Sequence, residues 1–166
     1  AIATDAGTRA LALDGAVLQM VAHGLVTGAL FLLVGMVQDR TATREMGQLG
    51  GLLGVVPLLG WSFVLAAFAS LGLPGLAHFP AEFQVFLGAF GVHPLAAAFA
   101  VLGIVITAGL YLRAIQATFL GEPDERQGAM SDLGLREAWA VLPLLLLTIL
   151  FGVAPRLLLD VISRAS

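Results

Sequence analysis

The chain has 166 residues, 59% hydrophobic and only 11% charged, with a formal net charge of −3 and a mean hydropathy of +0.98. Soluble domains carry about 25% charged residues, and a soluble core of this size cannot bury so much apolar surface, so lipid must be much of the solvent. The small charge argues against a nucleic-acid partner, and the absence of cysteine excludes disulfides, thiolate metal sites and cysteine-ligated iron–sulfur clusters.

In chain order, residues 15–38 are uncharged and apolar, with Asp14 as an expected N-cap and Asp39 and Arg40 closing the run. About 20 such residues cross a bilayer as a helix. The polar connector "QDRTATREMGQ" leads to Gly50 and Gly51, and a second span is expected over 53–73, with Pro57 near its start and Pro74 and Gly75 behind it. "LAHFP" interrupts the apolar pattern. A short third helix is expected over 80–91, because Pro80 suits a first helical position and His93-Pro94 ends the run. The fourth span is expected over 95–120 and the last over 139–153, separated by "GEPDERQGAMSD", the one clearly aqueous loop. An amphipathic tail follows Pro155 and Arg156. The expected fold class is all-α, a polytopic transmembrane helix bundle of about five spans, one of them short or broken. The runs are continuous rather than alternating, which argues against a β-barrel. Basic residues fall about equally on the two sides, so they set no orientation. Gly24 and Gly28 form a GxxxG pair, and Ala96, Ala100, Gly103 and Thr107 share a face; both favour close packing in lipid. Because the sequence starts at Ala1, a fragment or processed product is expected.

Glu82 is the sharpest chemical signal. The nearest charges along the chain are Glu45 and Arg113. An acid at the centre of a bilayer costs roughly 2.5–3.5 kcal/mol on insertion scales, so an intramembrane carboxylate is a functional candidate by default. Desolvation disfavours its charged form, the setting a reversible proton carrier needs. A helix starting at Pro80 would put Glu82 in its first turn, where the dipole favours the anion by about 0.3–1 kcal/mol. The competing reading is a fixed cap or a plain ion pair. Gln19, His23 and Thr27 recur at one-turn spacing and form a polar stripe on the first span. An imidazole between an amide and a hydroxyl can hold water and pass protons; interhelical hydrogen bonding alone is the alternative. His78 is expected on the loop leading into the short helix, since Pro80 turns Phe79 away from helical geometry. There it would pair with Glu82 or sit at a water interface. His93 reads as a connector residue and Arg113 as a snorkelling one. No phosphate loop, Ser/His/Asp arrangement or metal-binding grouping is present, so neither a cofactor nor a metal is expected in this chain.

The stretches "GAVLQMVAHGLVTGALFLLVG", "RTATREMGQLGGL" and "LGLPGLAHFPAEFQVFLGAF" follow one another in an order and spacing that resemble the antiporter-like subunits of respiratory complex I, in particular the subunit M type of NADH-quinone oxidoreductase. The likeness is specific as far as Phe90 and fades to hydrophobic pattern after Pro94. It implies the fold shared by complex I membrane-arm subunits and Mrp antiporters, with a discontinuous helix whose break falls at "LPGLAHFP". It also implies that Glu82 is the ionisable residue beside the break, where related subunits usually carry lysine, and that His23 is the histidine of the family's "QM-x-x-HG". The family usually reads something like "GNFVGEF" where this chain has "AHFPAEF", so His78 and Pro80 are departures. Members place a further glutamate and lysines in helices that precede this region.

The function so implied is that of a proton-translocating membrane-arm subunit coupling NADH:quinone electron transfer to proton pumping. Glu82 and His23 would transfer protons, and Gln19, Thr27 and His78 would support the path. No cofactor is expected in this chain; NADH, FMN, iron–sulfur clusters and quinone belong to other subunits. The expected partners are neighbouring membrane-arm subunits, the lipid bilayer, and protons with water, in a multi-pass protein of a bacterial inner membrane. The alternatives are a subunit of a sodium/proton antiporter or membrane-bound hydrogenase, and a structural membrane anchor.

Overall fold

The computed structural model describes residues 6–123 and 130–165, and every regular element among them is helical. The first apolar run extends well beyond residues 15–38, forming one helix, α1 (Ala6–Thr41). Asp14 is therefore inside the helix and caps nothing. The alanines and leucines ahead of it are strong helix formers, and no proline interrupts them. A single 3₁₀ turn (Met46–Gln48) and the four-residue α2 (Leu52–Val55) lead to α3 (Pro57–Ser70). Then come α4 (His78–Phe90), α5 (Pro94–Phe119), α6 (Leu135–Val153) and the amphipathic α7 (Arg156–Ala165). Residues 124–129 of the expected aqueous loop lie outside the described residues.

Among the described residues, three helices are long and apolar enough to cross a membrane: Gly7–Thr41 of α1, α5 and α6. At about 1.5 Å per residue, α3 and α4 are each close to 20 Å long, short of a hydrocarbon core of about 30 Å. They lie end to end along α1. Ala69 of α3 packs with Val26, while Ala81 of α4 packs with Leu18. As the chain advances through α3 and α4, its contacts run back down α1, so the two short helices form one discontinuous path antiparallel to it.

The buried face of α1 carries Leu18, Ala22, Val26, Ala29 and Leu33, all fully shielded and spaced at helical period. Close approach to α4 is made by Gly15, where a Cβ would lie 2.8 Å from the Gln84 Cβ and 3.0 Å from the Val85 nitrogen. Gly88 answers from α4, where a Cβ would lie 2.7 Å from that of Ala12. The GxxxG pair does not make this crossing. Nothing lies within 4 Å of a Cβ at Gly24, and at Gly28 there is only a Leu144 methyl at 3.8 Å, because both glycines sit off the buried face. The main core gathers Leu33, Leu52, Val56, Leu59, Phe63, Phe119 and Val141 at the other end of α1, with the Phe63 and Phe119 rings 4.7 Å apart.

A polar clasp closes that end. The Arg40 guanidinium donates to both carboxylate oxygens of Glu137 on α6, at 2.9 and 2.6 Å, and to the carbonyls of Ser131 and Asp132 at 2.7 and 3.1 Å. Asp132 in turn accepts the backbone N–H groups of Leu58 and Leu59 at 2.8 and 3.0 Å, capping α3 from a distant loop. Partial burial works against the Asp132 anion, but the N–H groups of Leu58, Leu59 and Leu133, with Arg40 nearby, outweigh it and hold its pKa below the usual range. A depressed folded-state pKa stabilises the fold above the unfolded value and loses that contribution as pH falls through the folded one. Asp132→Ala is accordingly expected to cost about 0.5–2 kcal/mol at neutral pH. In thermal unfolding of the detergent-solubilised protein, the gap between wild type and variant should narrow as pH falls below about 3.9.

Candidate functional site

The break between α3 and α4 is built by its sequence. Ser70 ends α3, and Gly72 follows in the left-handed conformation at φ +67°. The Leu73 N–H reaches back to the Phe68 carbonyl and the Gly72 N–H to that of Ala69, the paired bonds of a Schellman cap. Pro74 cannot continue the helix, and Gly75 turns again at φ +91°. Gly152 of α6 presses directly on the backbone of Gly75 and Leu76, so the far helix braces the turn and leaves no room there for a side chain.

The next helix starts at His78, earlier than Pro80. As the third residue of α4, Pro80 gives up an N–H that the first turn would leave unpaired in any case, so it does not delay the helix. Two expectations change with it. His78 is not on a lead-in loop or at a water interface; it is in the helix and 2% exposed. Glu82 is in the second turn, beyond the reach of most of the dipole effect, and no acid occupies the first.

A continuous α4 puts His78 and Glu82 one turn apart on a single face, and that face meets the polar stripe of α1. Glu82 is half-buried and hydrogen-bonds the Gln19 side chain. The His78 ring stands edge-on to that of His23, with centroids 6.2 Å apart. Thr27 completes the line, its hydroxyl 3.3 Å from His23 Nδ1. Gln19–Glu82 and His23–His78 are therefore two rungs between antiparallel helices, and Thr27 extends the line along α1 through His23. His78 also hydrogen-bonds the Ala69 carbonyl at the end of α3, which ties the ring to both sides of the break. Among the described residues, the buried His78 Nδ1 and Gln19 Oε1 have no hydrogen-bond partner, and Glu82 forms no ion pair.

Two clefts open from this ladder. One, of about 230 Å³, is lined by Glu82, Ser70 and Leu71 on one side and by Ala100, Gly103, Ile104 and Thr107 of α5 on the other. The small-residue face of α5 thus fronts the carboxylate instead of gripping another helix. The second, of about 370 Å³, contains His23, Thr27, Phe63, Ser70 and Tyr111. Ser70 belongs to both, and its Oγ is 2.9 Å from the Tyr111 hydroxyl. The sequence reading missed this hydroxyl pair. Tyr111 is the only tyrosine in the chain, but no helical spacing relates residue 70 to residue 111. Among the described residues no group of three or more His, Cys, Asp or Glu is arranged to hold a metal ion.

Residues 2–107 match the family described as NADH:quinone oxidoreductase/Mrp antiporter, transmembrane. The chain belongs to this family. It is 39% identical over 151 residues to NADH-quinone oxidoreductase subunit M of Rhodobacter capsulatus, covering 90% of this chain and 30% of that protein. It is 41% identical over 156 residues to subunit M of Pseudomonas aeruginosa, covering 94% of this chain and 30% of that protein. It is also 35% identical over 162 residues to F(420)H(2) dehydrogenase subunit M of Methanosarcina mazei, covering 98% of this chain and 33% of that protein. Among solved structures it is similar to a chain of respiratory complex I from Thermus thermophilus with bound NADH, with a TM-score of 0.81, 36% identity, and coverage of 88% of this chain and 31% of that one. The chain spans about a third of the length of these relatives. It is an integral membrane protein of the antiporter-like helical class.

Gly72 holds the carboxylate of this family member in place by having no side chain. A Cβ there would lie 2.5 Å from Glu82 Oε2, and the flexible end of Glu82 would have to give way. Gly72→Ala adds left-handed strain of roughly 1–2 kcal/mol. It is expected to move the Glu82 carboxylate off Gln19 while leaving α4 intact, a displacement that a cryo-EM map of the variant would reveal.

Proposed function

We propose that this chain is the C-terminal part of a proton-translocating membrane-arm subunit of an NADH-quinone oxidoreductase, with Glu82 as its reversible proton carrier. The observation that carries the reading is the setting of Glu82. It is a carboxyl group without an ion pair among the described residues, held by the neutral Gln19 amide and fronting a cleft. A carboxyl group with a neutral partner can gain and lose a proton without leaving a fixed cation unpaired, whereas a carboxylate locked to arginine cannot. The contrast with Glu137, which is locked to Arg40, is internal to the chain.

In this mechanism Glu82 takes a proton from water in the cleft it faces. Gln19 orients the carboxyl group, and the His78–His23–Thr27 line carries charge and hydrogen-bond polarity along α1. Moving one charge against 100 mV costs about 2.3 kcal/mol. A change in hydration or in neighbouring charge of that size suffices to switch Glu82 between its two states. The electrons move in other subunits, and neighbouring membrane-arm subunits are the partners through which that change arrives. The similarity to an F(420)H(2) dehydrogenase subunit favours a second reading, in which the same membrane module serves an electron donor other than NADH.

Glu82→Gln in the assembled complex, reconstituted in sealed vesicles, is expected to lower proton pumping by roughly tenfold or more with assembly unchanged, in line with loss of a positioned proton-transfer group. Pumping at the wild-type rate in a fully assembled Glu82→Gln complex would remove the proposal.

A further inference from the structure

The two clefts at the site share one lining residue, Ser70. At that shared residue the Ser70 hydroxyl donates to the Tyr111 hydroxyl at 2.9 Å, and the pair is partly buried. Each cleft has room for several waters, since one water takes about 30 Å³ of liquid volume. Ser70 lines both clefts, and Tyr111 lines the His23 cleft. Both positions are firmly set. Ser70 is the last residue of α3, immediately ahead of the Schellman cap, and Tyr111 projects from a continuous α5. A hydroxyl both donates and accepts, so two in contact can pass a proton without either becoming charged for long. Glu82 and Thr107 line the first cleft with Ser70, and His23 and Thr27 line the second.

We infer that the Ser70–Tyr111 hydroxyl pair is a proton relay connecting the Glu82 cleft to the His23 cleft, a route parallel to the direct ladder between α1 and α4. The inference rests on the proton-translocating reading of Glu82. The transfer balances at every atom. A protonated water in the Glu82 cleft gives its proton to Ser70 Oγ. The proton already on Ser70 moves to Tyr111 Oη along the existing hydrogen bond, and the Tyr111 proton leaves to water in the His23 cleft. Each O–H bond broken is matched by one formed, and nothing is oxidised or reduced. Rotation of the two hydroxyls resets the pair for the next proton. The reverse sequence runs equally well, so the pair sets connection and the driving force sets direction.

The test uses Tyr111→Phe, which keeps the ring and removes only the oxygen, together with Ser70→Ala and Ser70→Thr, all in the assembled complex in sealed vesicles. Protons pumped per NADH oxidised and the solvent deuterium isotope effect on pumping are both measured. Tyr111→Phe and Ser70→Ala are expected to lower pumping by roughly tenfold and to change the isotope effect, with electron transfer and assembly retained. Ser70→Thr, which restores the hydroxyl, is expected to pump as wild type. Wild-type pumping and an unchanged isotope effect in Tyr111→Phe would overturn the relay. A Ser70→Thr complex as impaired as Ser70→Ala would overturn it too, by assigning the effect to packing. Glu82→Gln run alongside separates the two proposals. If Tyr111→Phe pumps normally and Glu82→Gln does not, the relay fails and the carrier stands. If both pump normally, the carrier itself falls.

Discussion

Close contact between the backbones of α1 and α4 is the constraint on which the rest of the site depends. Lipid offers no hydrophobic reward for bringing two apolar helices together, so association in a bilayer relies on packing and on polar groups that find partners. Here Gly15 and Gly88 remove the side chains that would hold the two backbones apart. Only at that spacing does the short amide of Gln19 reach the Glu82 carboxyl group, and only then do the rings of His23 and His78 meet. The polar contacts in turn favour this register, because a slip by one turn would part both the Gln19–Glu82 and the His23–His78 pairs. Packing and polarity therefore specify the same arrangement from two sides.

The interruption between α3 and α4 serves a different purpose. An unbroken helix through residues 71–77 would use all its backbone groups internally and would leave no polar seam at mid-bundle. The Schellman cap ends α3 cleanly, the pair Pro74-Gly75 turns the chain, and Gly152 clamps the turn from α6. The carbonyl of Ala69, which also accepts the Gly72 N–H at the end of α3, is the partner of His78. The vacancy at the Gly72 side chain gives the Glu82 carboxylate room to sit. A break that in water would be a weak point thus becomes, in lipid, the place where polar side chains can be accommodated.

Charge is divided sharply along the molecule. At one end Arg40, Glu137 and Asp132 join α1, α3 and α6 in a clasp where Arg40 pairs with Glu137 and backbone N–H groups satisfy the Asp132 carboxylate. Around Glu82 no cation is engaged among the described residues. The Arg40–Glu137 pair near the helix ends is structural, because removing either partner strands the other. The acid held by an amide, Glu82, has no fixed cation opposite it among the described residues. The same residue type stands in two settings, distinguished by what lies opposite it.

Much of this was legible in the chain before any coordinates. Hydropathy identified lipid as the solvent, one-turn spacing grouped Gln19, His23 and Thr27, and the isolation of Glu82 marked it as chemical. These are local properties, carried by composition and by the period of a single helix. What only the tertiary structure decided was which faces meet. The GxxxG pair at Gly24 and Gly28 has the right spacing for a crossing, yet Gly15 and Gly88 make it, because the buried stripe of α1 lies elsewhere on its circumference. His78 reads as a loop residue until the helix is seen to absorb Pro80 in its first turn. Ser70 and Tyr111 have nothing to connect them until two helices bring their hydroxyls within 2.9 Å. Periodicity within one helix says which residues share a face, but the partner of that face is chosen by packing between helices far apart in sequence.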